Sequence, residues 1–315
     1  MIDFRYHLVT IIAIFLALAV GIVVGTTALN GPVLDGLRRA NKDLISEKQE
    51  LQTDKRDLES DVATADGVAG ELAPGLLGGR LGGQRVLLVT TDRTPAQLVD
   101  QLSPLVAQAG GTVAGRLRVQ PEMLDEQQGQ LLEDLVAQVI PAGLEVPAGE
   151  PVERAGAVLA ASLLRRPGAE PVPTADAQAV VSAFEEADLV ELSEEGQQIT
   201  PADLVVVLTG PPAEPLDPEA DARNEALLAV VEALDTQSKG AVVAGPSEAL
   251  GDGGVLRAVR ANGNVDARVS TVDNADRVVG QVAVVLALQE QAAGRAGRYG
   301  GGAGATAPLP DVAAG

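Results

Sequence analysis

Few side chains in this 315-residue sequence are equipped for chemistry, and their positions narrow what that chemistry is. Asp92 and Arg93 follow the apolar run RVLLVT, Ser247 follows AVVA, and Asp273 and Asp276 follow VSTV. At the carboxyl ends of parallel strands such groups converge on a ligand crevice, where a carboxylate orients a hydroxyl and a guanidinium pairs with an anion. The same residue types also serve tight turns and helix caps. None of these strand ends carries G-x-G-x-x-G or G-x-x-x-x-G-K-[ST], so nucleotide binding lacks its strongest signal.

Acid–base and metal chemistry are thinly supplied. The single histidine, His7, sits at the edge of an apolar run, so no Ser-His-Asp arrangement can form further along the chain. There is no cysteine, which removes disulfides, thiol nucleophiles and thiolate metal sites. Copper prefers Cys, Met and imidazole. That inventory here is Met1, Met123 and His7, which cannot form one site. The expectation is no catalytic residue, no cofactor and no metal ligand. Glu185–Glu186 and Glu194–Glu195 read as solvated surface in or beside helices. With 44 acidic against 23 basic residues the net charge is −21, which argues against a nucleic-acid partner.

Chemistry of packing is better represented. Residues 8–29, LVTIIAIFLALAVGIVVGTTAL, carry no charge. As a helix of about 1.5 Å per residue they span roughly 33 Å, close to the hydrocarbon thickness of a bilayer. Thirteen are Leu, Ile, Val or Phe, worth on the order of −6 kcal/mol of insertion free energy. A cleaved signal peptide has a shorter apolar core and an A-x-A-like site, and the exit GTTALNGP lacks one. Residues 1–30 therefore read as an uncleaved membrane anchor. Ala13, Ala17, Gly21 and Gly25 recur every fourth place, giving a flat ribbon on one face where a second helix can approach closely.

Residues 31–66 carry a second pattern. Leu37, Leu44, Leu51 and Leu58 fall seven apart and read as d positions of a heptad, with Leu34, Asn41, Lys48, Lys55 and Val62 at a. The result is a short two-stranded coiled coil with polar a residues. In a parallel homodimer Asp54 would face Glu59 and Glu47 would face Gln52, so a helix of a different protein with basic flanks fits better. A solvated spacer stalk is the plainer alternative. Residues 67–83, with GELAPGLLGGRLGG, read as a flexible linker.

Residues 84–293 alternate apolar runs with amphipathic stretches. QRVLLVTT, TVAGRLRV, DLVVVLTG, KGAVVAGP and ARVSTVD read as strands, with helical patterns between them, including about 123–139, 151–166 and 176–190. Continuously apolar strands between helices imply an α/β unit with an open, mostly parallel sheet of about five strands covered on both faces, Rossmann-like or flavodoxin-like. The tail 294–315 reads as disordered.

The opening MIDFRYHLVTIIAIFLALAVGIVVG, the acidic heptad segment and the closing STVDNAD…GQVAVVLAL resemble the actinobacterial MctB family over nearly the whole chain. That resemblance implies a single-pass envelope protein connected with copper transport, its folded part outside the cytoplasmic membrane. A corynebacterial branch, SteB, implies the alternative of cell division and envelope assembly, through a coiled coil with a second membrane protein. Counting charges gives the opposite orientation, because Arg5 precedes the span while Arg38, Arg39, Lys42 and Lys48 follow it. A tail this short weighs little in that count. One helix lines no pore, and there is no series of alternating lipid-facing strands for an outer-membrane barrel. The partners expected are the membrane and either a second copy or another envelope protein.

The stripe has a direct test. Replacing Gly21→Ile together with Gly25→Ile should lower the oligomeric state in detergent, read by light scattering; an unchanged mass removes the stripe as a packing face.

Overall fold

The computed structural model describes residues 4–193, 199–214 and 217–311, with the backbone alone for residues 4–5 and 26–35. Glu194, Glu195 and the side chain of Leu34 thus lie outside the described residues. The chain divides into two units, Met1–Ala65 and Asp66–Gly315.

The first unit is helical. Helix α1 covers Phe4–Leu77, and its residues from Asp66 onward belong to the second unit. Leu and Ala are its commonest residues, both good helix formers. The hydroxyls of Thr10, Thr53 and Thr64 donate to the carbonyl four residues back, satisfying groups that would otherwise compete with the helix. Tyr6–Gly25 is long and apolar enough to cross a membrane, and every side chain from Tyr6 to Val24 is exposed.

The second unit is mixed α/β. After α1 come β1 (Arg85–Thr90), α2 (Ala96–Gln108), β2 (Thr112–Val119), α3 (Gly129–Val139), α4 (Pro151–Leu163) and α5 (Thr174–Glu186). Then follow β3 (Val190–Ser193), β4 (Leu204–Leu208), α6 (Ala220–Thr236), β5 (Ala241–Ala244), α7 (Val255–Ala261), α8 (Gly263–Asp266), β6 (Ser270–Val272), α9 (Val278–Ala292) and β7 (Arg298–Tyr299). The strands form one sheet in the order β3-β2-β1-β4-β5-β6-β7, parallel except where β3 runs against β2.

Alternate residues of each strand point to opposite faces. Leu87, Val89, Val205, Val207 and Val243 pack into one apolar cluster with α3 to α7. Val86, Leu88, Val206, Leu208 and Val242 pack into another with the end of α1, α2 and α9. The five strands read from the sequence are β1, β2, β4, β5 and β6, and two edge strands extend them. β3 follows a turn at Asp188, whose φ of 56° ends α5 in the left-handed region. β7 lies in the tail.

Two expectations are corrected. Residues 67–83 are not a free linker: α1 continues through Gly67, Gly70, Pro74 and Gly75 to Leu77. Burial overrides their weak helix propensity, because Ala73, Leu77 and Leu81 are at most 2% exposed in the sheet's cover. Gly79 and Gly83 take positive φ in the turn that follows, and the N–H of Leu81 donates to Ala109 O at 2.8 Å. Asp66 adds a polar clasp, accepting from Val278 N at 3.2 Å and pairing with Arg277 at 2.8 Å.

The tail from Gly294 is likewise ordered as far as Asp311; residues 312–315 lie outside the described residues. Tyr299 is buried and its hydroxyl donates to Glu290. Burial first, then the Glu290 carboxylate, push that hydroxyl's pKa well above the usual value for tyrosine. Arg298 pairs with Asp266 at 2.8 Å. These contacts supply what a glycine-rich composition lacks.

At the amino ends of β1, β4 and β5 one carboxylate gathers three cations. Asp203, 1% exposed, accepts from the backbone N–H of Arg85 at 3.0 Å, from the Arg165 guanidinium, and lies 3.5 Å from Lys239 Nζ. Burial alone would raise its pKa; the Arg85 N–H and the Arg165 and Lys239 charges outweigh that and hold it below the ordinary aspartate range. With the folded value depressed, its stabilisation is complete above the unfolded value and is lost as pH falls through the folded one. Asp203→Asn should therefore cost about 2 kcal/mol at neutral pH, less than a fully buried pair because the cations remain 30–45% exposed. It should also flatten the pH dependence of urea unfolding below about pH 4. A loss within error of zero would show that the three cations are held by solvent instead.

Candidate functional site

In the second unit the sheet order reverses between β1 and β4: from β1 the chain proceeds outward to β2, and β4 returns to β1's other side. A crevice outside the carboxyl ends of the strands opens at such a point. The two loops that flank it are tied together. Thr94 Oγ1 donates to Leu208 O at 2.6 Å and accepts from Thr91 N at 2.9 Å. The Arg93 guanidinium donates to Pro211 O at 3.0 Å and Pro212 O at 3.2 Å. A Cβ on Gly210 would lie 1.8 Å from Arg93 O, so glycine is required for this approach.

What remains beside the staple is a hollow of about 100 Å³, bordered by Thr91, Asp92, Arg93, Gly210, Asp217 and Asn224 among others. That is room for about three waters, against several hundred Å³ for a typical ligand pocket. Several polar groups on its border are engaged: Asn224 Nδ2 donates to Gly253 O at 3.0 Å, and Arg223 pairs with Asp217 and Glu219. The arrangement braces loops.

The other strand-end residues are placed apart. Ser247 is exposed, at the start of a short 3-10 turn, with Oγ 3.5 Å from the neighbouring Glu248. Asp273 is 1% exposed and serves the tail: it pairs with Arg260 at 3.0 Å and accepts from the N–H groups of Gly301 and Gly302 at 2.9 and 3.1 Å. Gly300 beside it has φ 122°, and a Cβ there would meet the Asp273 carboxylate. Asp276 is exposed as a residue, yet partial loss of water around its carboxyl, followed by the nearby Glu248 and Asp66 charges, raises its pKa. Of the five, Asp92 and Arg93 share a hollow.

In the first unit, Ala13, Ala17 and Gly21 are exposed on α1, and a Cβ at Gly21 or Gly25 would meet nothing within 4 Å. Leu37, Leu44, Leu51 and Leu58 are 62–68% exposed, and Asn41, Lys48 and Lys55 are exposed with them. Lys55 reaches Glu59 of the same helix at 3.6 Å. At these exposures that pair adds a few tenths of a kcal/mol at most.

Sequence reasoning did not find Asp203, or the Asp66–Arg277 and Arg260–Asp273 pairs. Their partners stand 13 to 211 residues away along the chain. One local signal was present: Asp203 directly precedes a strand that is buried throughout, where a charge must find partners. Among the described residues no three His, Cys, Asp or Glu side chains come together to hold a metal ion. Met123 is 1% exposed in the second unit's core, and His7 belongs to the first unit.

The model of the family described as "Copper transport outer membrane protein, MctB" matches residues 1–310. The chain is 29% identical over 312 residues to the copper transporter MctB of Mycobacterium bovis and to that of Mycobacterium tuberculosis, covering 97% of this chain and 98% of each relative. The copper transporter MctB of Mycobacterium leprae is 28% identical over 314 residues, covering 97% and 98%. A match that includes the apolar span, the heptad segment and the α/β unit together leaves no part of the architecture unaccounted for, and the chain belongs to the MctB family.

Proposed function

We propose that this chain is a single-pass envelope protein that serves copper transport or homeostasis, with its α/β unit outside the cytoplasmic membrane. The family match over residues 1–310 carries the reading, since the relatives are named copper transporters. The apolar span Tyr6–Gly25 supports the anchor. Counted among themselves, the parallel strands β2-β1-β4-β5-β6 stand in the order 2-1-3-4-5, with the antiparallel β3 added at the edge, which supports a flavodoxin-like arrangement over a Rossmann-like one.

The part played in copper handling is indirect. One helix lines no pore, and the soft and imidazole donors are Met1, Met123 and His7. The sheet is open, with β3 and β7 at its two edges, so it is no barrel. The protein acts by holding a partner at the membrane. The Ala13–Gly25 ribbon packs against a helix in lipid, and the Leu37–Leu58 heptads complete a coiled coil with a helix of basic flanks.

A second reading keeps the same partner surface but assigns it to cell division and cell-wall assembly. The uncovered leucine seam serves both readings equally, because burying one such side chain gains about 1.5–3 kcal/mol whichever pathway the partner serves.

Deletion of the protein should change copper tolerance of the cells. The wild-type chain should restore it, and Leu44→Asp plus Leu51→Asp should neither restore it nor retain the co-purifying partner. Unchanged tolerance on deletion removes the copper reading. Stoichiometric, submicromolar copper binding by the purified full chain removes the indirect role in favour of direct carriage.

A further inference from the structure

On the face of the sheet covered by α3 to α7, a hollow of about 600 Å³ lies among the turns before α3, the start of α4 and one face of α6. Its floor is apolar. Ala222, Ala226 and Ala229 line one side of α6 at helical spacing, opposite Leu132 and Met123, which are each 1% exposed. Alanine at those three positions leaves a depression where longer side chains would fill the space.

Its rim is acidic. Asp125, Glu126, Glu150, Glu153 and Glu225 border the groove, and no Lys, Arg or His does. Among the described residues the four glutamates make no ion pair with this chain's own cations, while Asp125 accepts from Gln127 N at 2.8 Å. Five like charges around an apolar floor repel one another and gain from a cationic neighbour.

The spread of the carboxylates selects the occupant. No three of them come close enough to hold a metal ion, so a point cation is not matched. An extended chain with several positive charges is. A second copy of this protein brings a net charge of −21 and is repelled on approach. We propose that the groove is a docking site for a basic peptide segment of another protein, one apolar side chain seated on the alanine floor and flanking Lys or Arg side chains against the rim. This surface is separate from the anchor and heptads, and holds whether or not the copper reading does.

The test is photo-crosslinking on the full-length protein in dodecyl maltoside. The probe is a biotinylated pentapeptide, Lys-Lys-photoleucine-Lys-Lys, with a Gln-for-Lys version as its neutral control. Crosslinks mapped by mass spectrometry should concentrate on the floor around Leu132 and Ala226 and weaken with added salt. The yield should fall about tenfold in Glu153→Lys plus Glu225→Lys and with the neutral peptide. Ala226→Leu, which fills the floor and leaves every charge in place, should abolish the floor crosslinks and keeps the test independent of how the charge reversals fold. Equal yields from the charged and neutral peptides, equal yields from the wild-type and Ala226→Leu proteins, or crosslinks joining two copies of the chain at the groove would each overturn the proposal.

Discussion

A sheet whose central strand is buried on both faces must be covered on both faces, and the rest of the second unit follows from that constraint. All five residues of β4 are buried. One face is served by α3 to α7 from the long connections beside β2 and β4. The other needs more than α2 and α9, and the end of α1 supplies it with Ala73, Leu77 and Leu81. Residues that look like a loose connection by composition are therefore core. At about 25 cal/mol per Å² of apolar surface removed from water, burial of two leucines exceeds the cost of a few helical glycines.

Electrostatics fixes what burial leaves undetermined. In a chain with nearly twice as many acids as bases, most carboxylates face solvent. The few that are buried or half-buried are the ones with partners. Asp203 locks the amino ends of three strands, Asp273 with Arg260 holds the tail along β6, and Asp66 with Arg277 binds α1 to the start of α9. Each joins segments far apart in the chain, where the apolar contacts by themselves are less directional.

The functional picture is of surfaces. The switch point of the sheet, where a ligand crevice belongs, is spanned by Thr94 and Arg93 and narrowed by the approach at Gly210. Exposed features that remain are an apolar span, a leucine seam and an acid-rimmed groove. Membership of the MctB family attaches a copper context to this anchored architecture.

The sequence by itself determined the apolar span, the α/β class, the five parallel strands and the family, because each rests on a local pattern: an uncharged run, alternation of strand and helix, a distinctive opening. It also flagged Asp92 and Arg93 as neighbours of a strand end. Only tertiary structure decided that residues 67–77 are helix, that the tail forms an edge strand, and that Asp273 binds backbone at Gly301 and Gly302. The physical reason is the same in each case. Glycine-rich composition reports what a segment does alone, whereas Leu77 and Tyr299 are held by surfaces built from strands more than a hundred residues away or by side chains that no spacing rule connects.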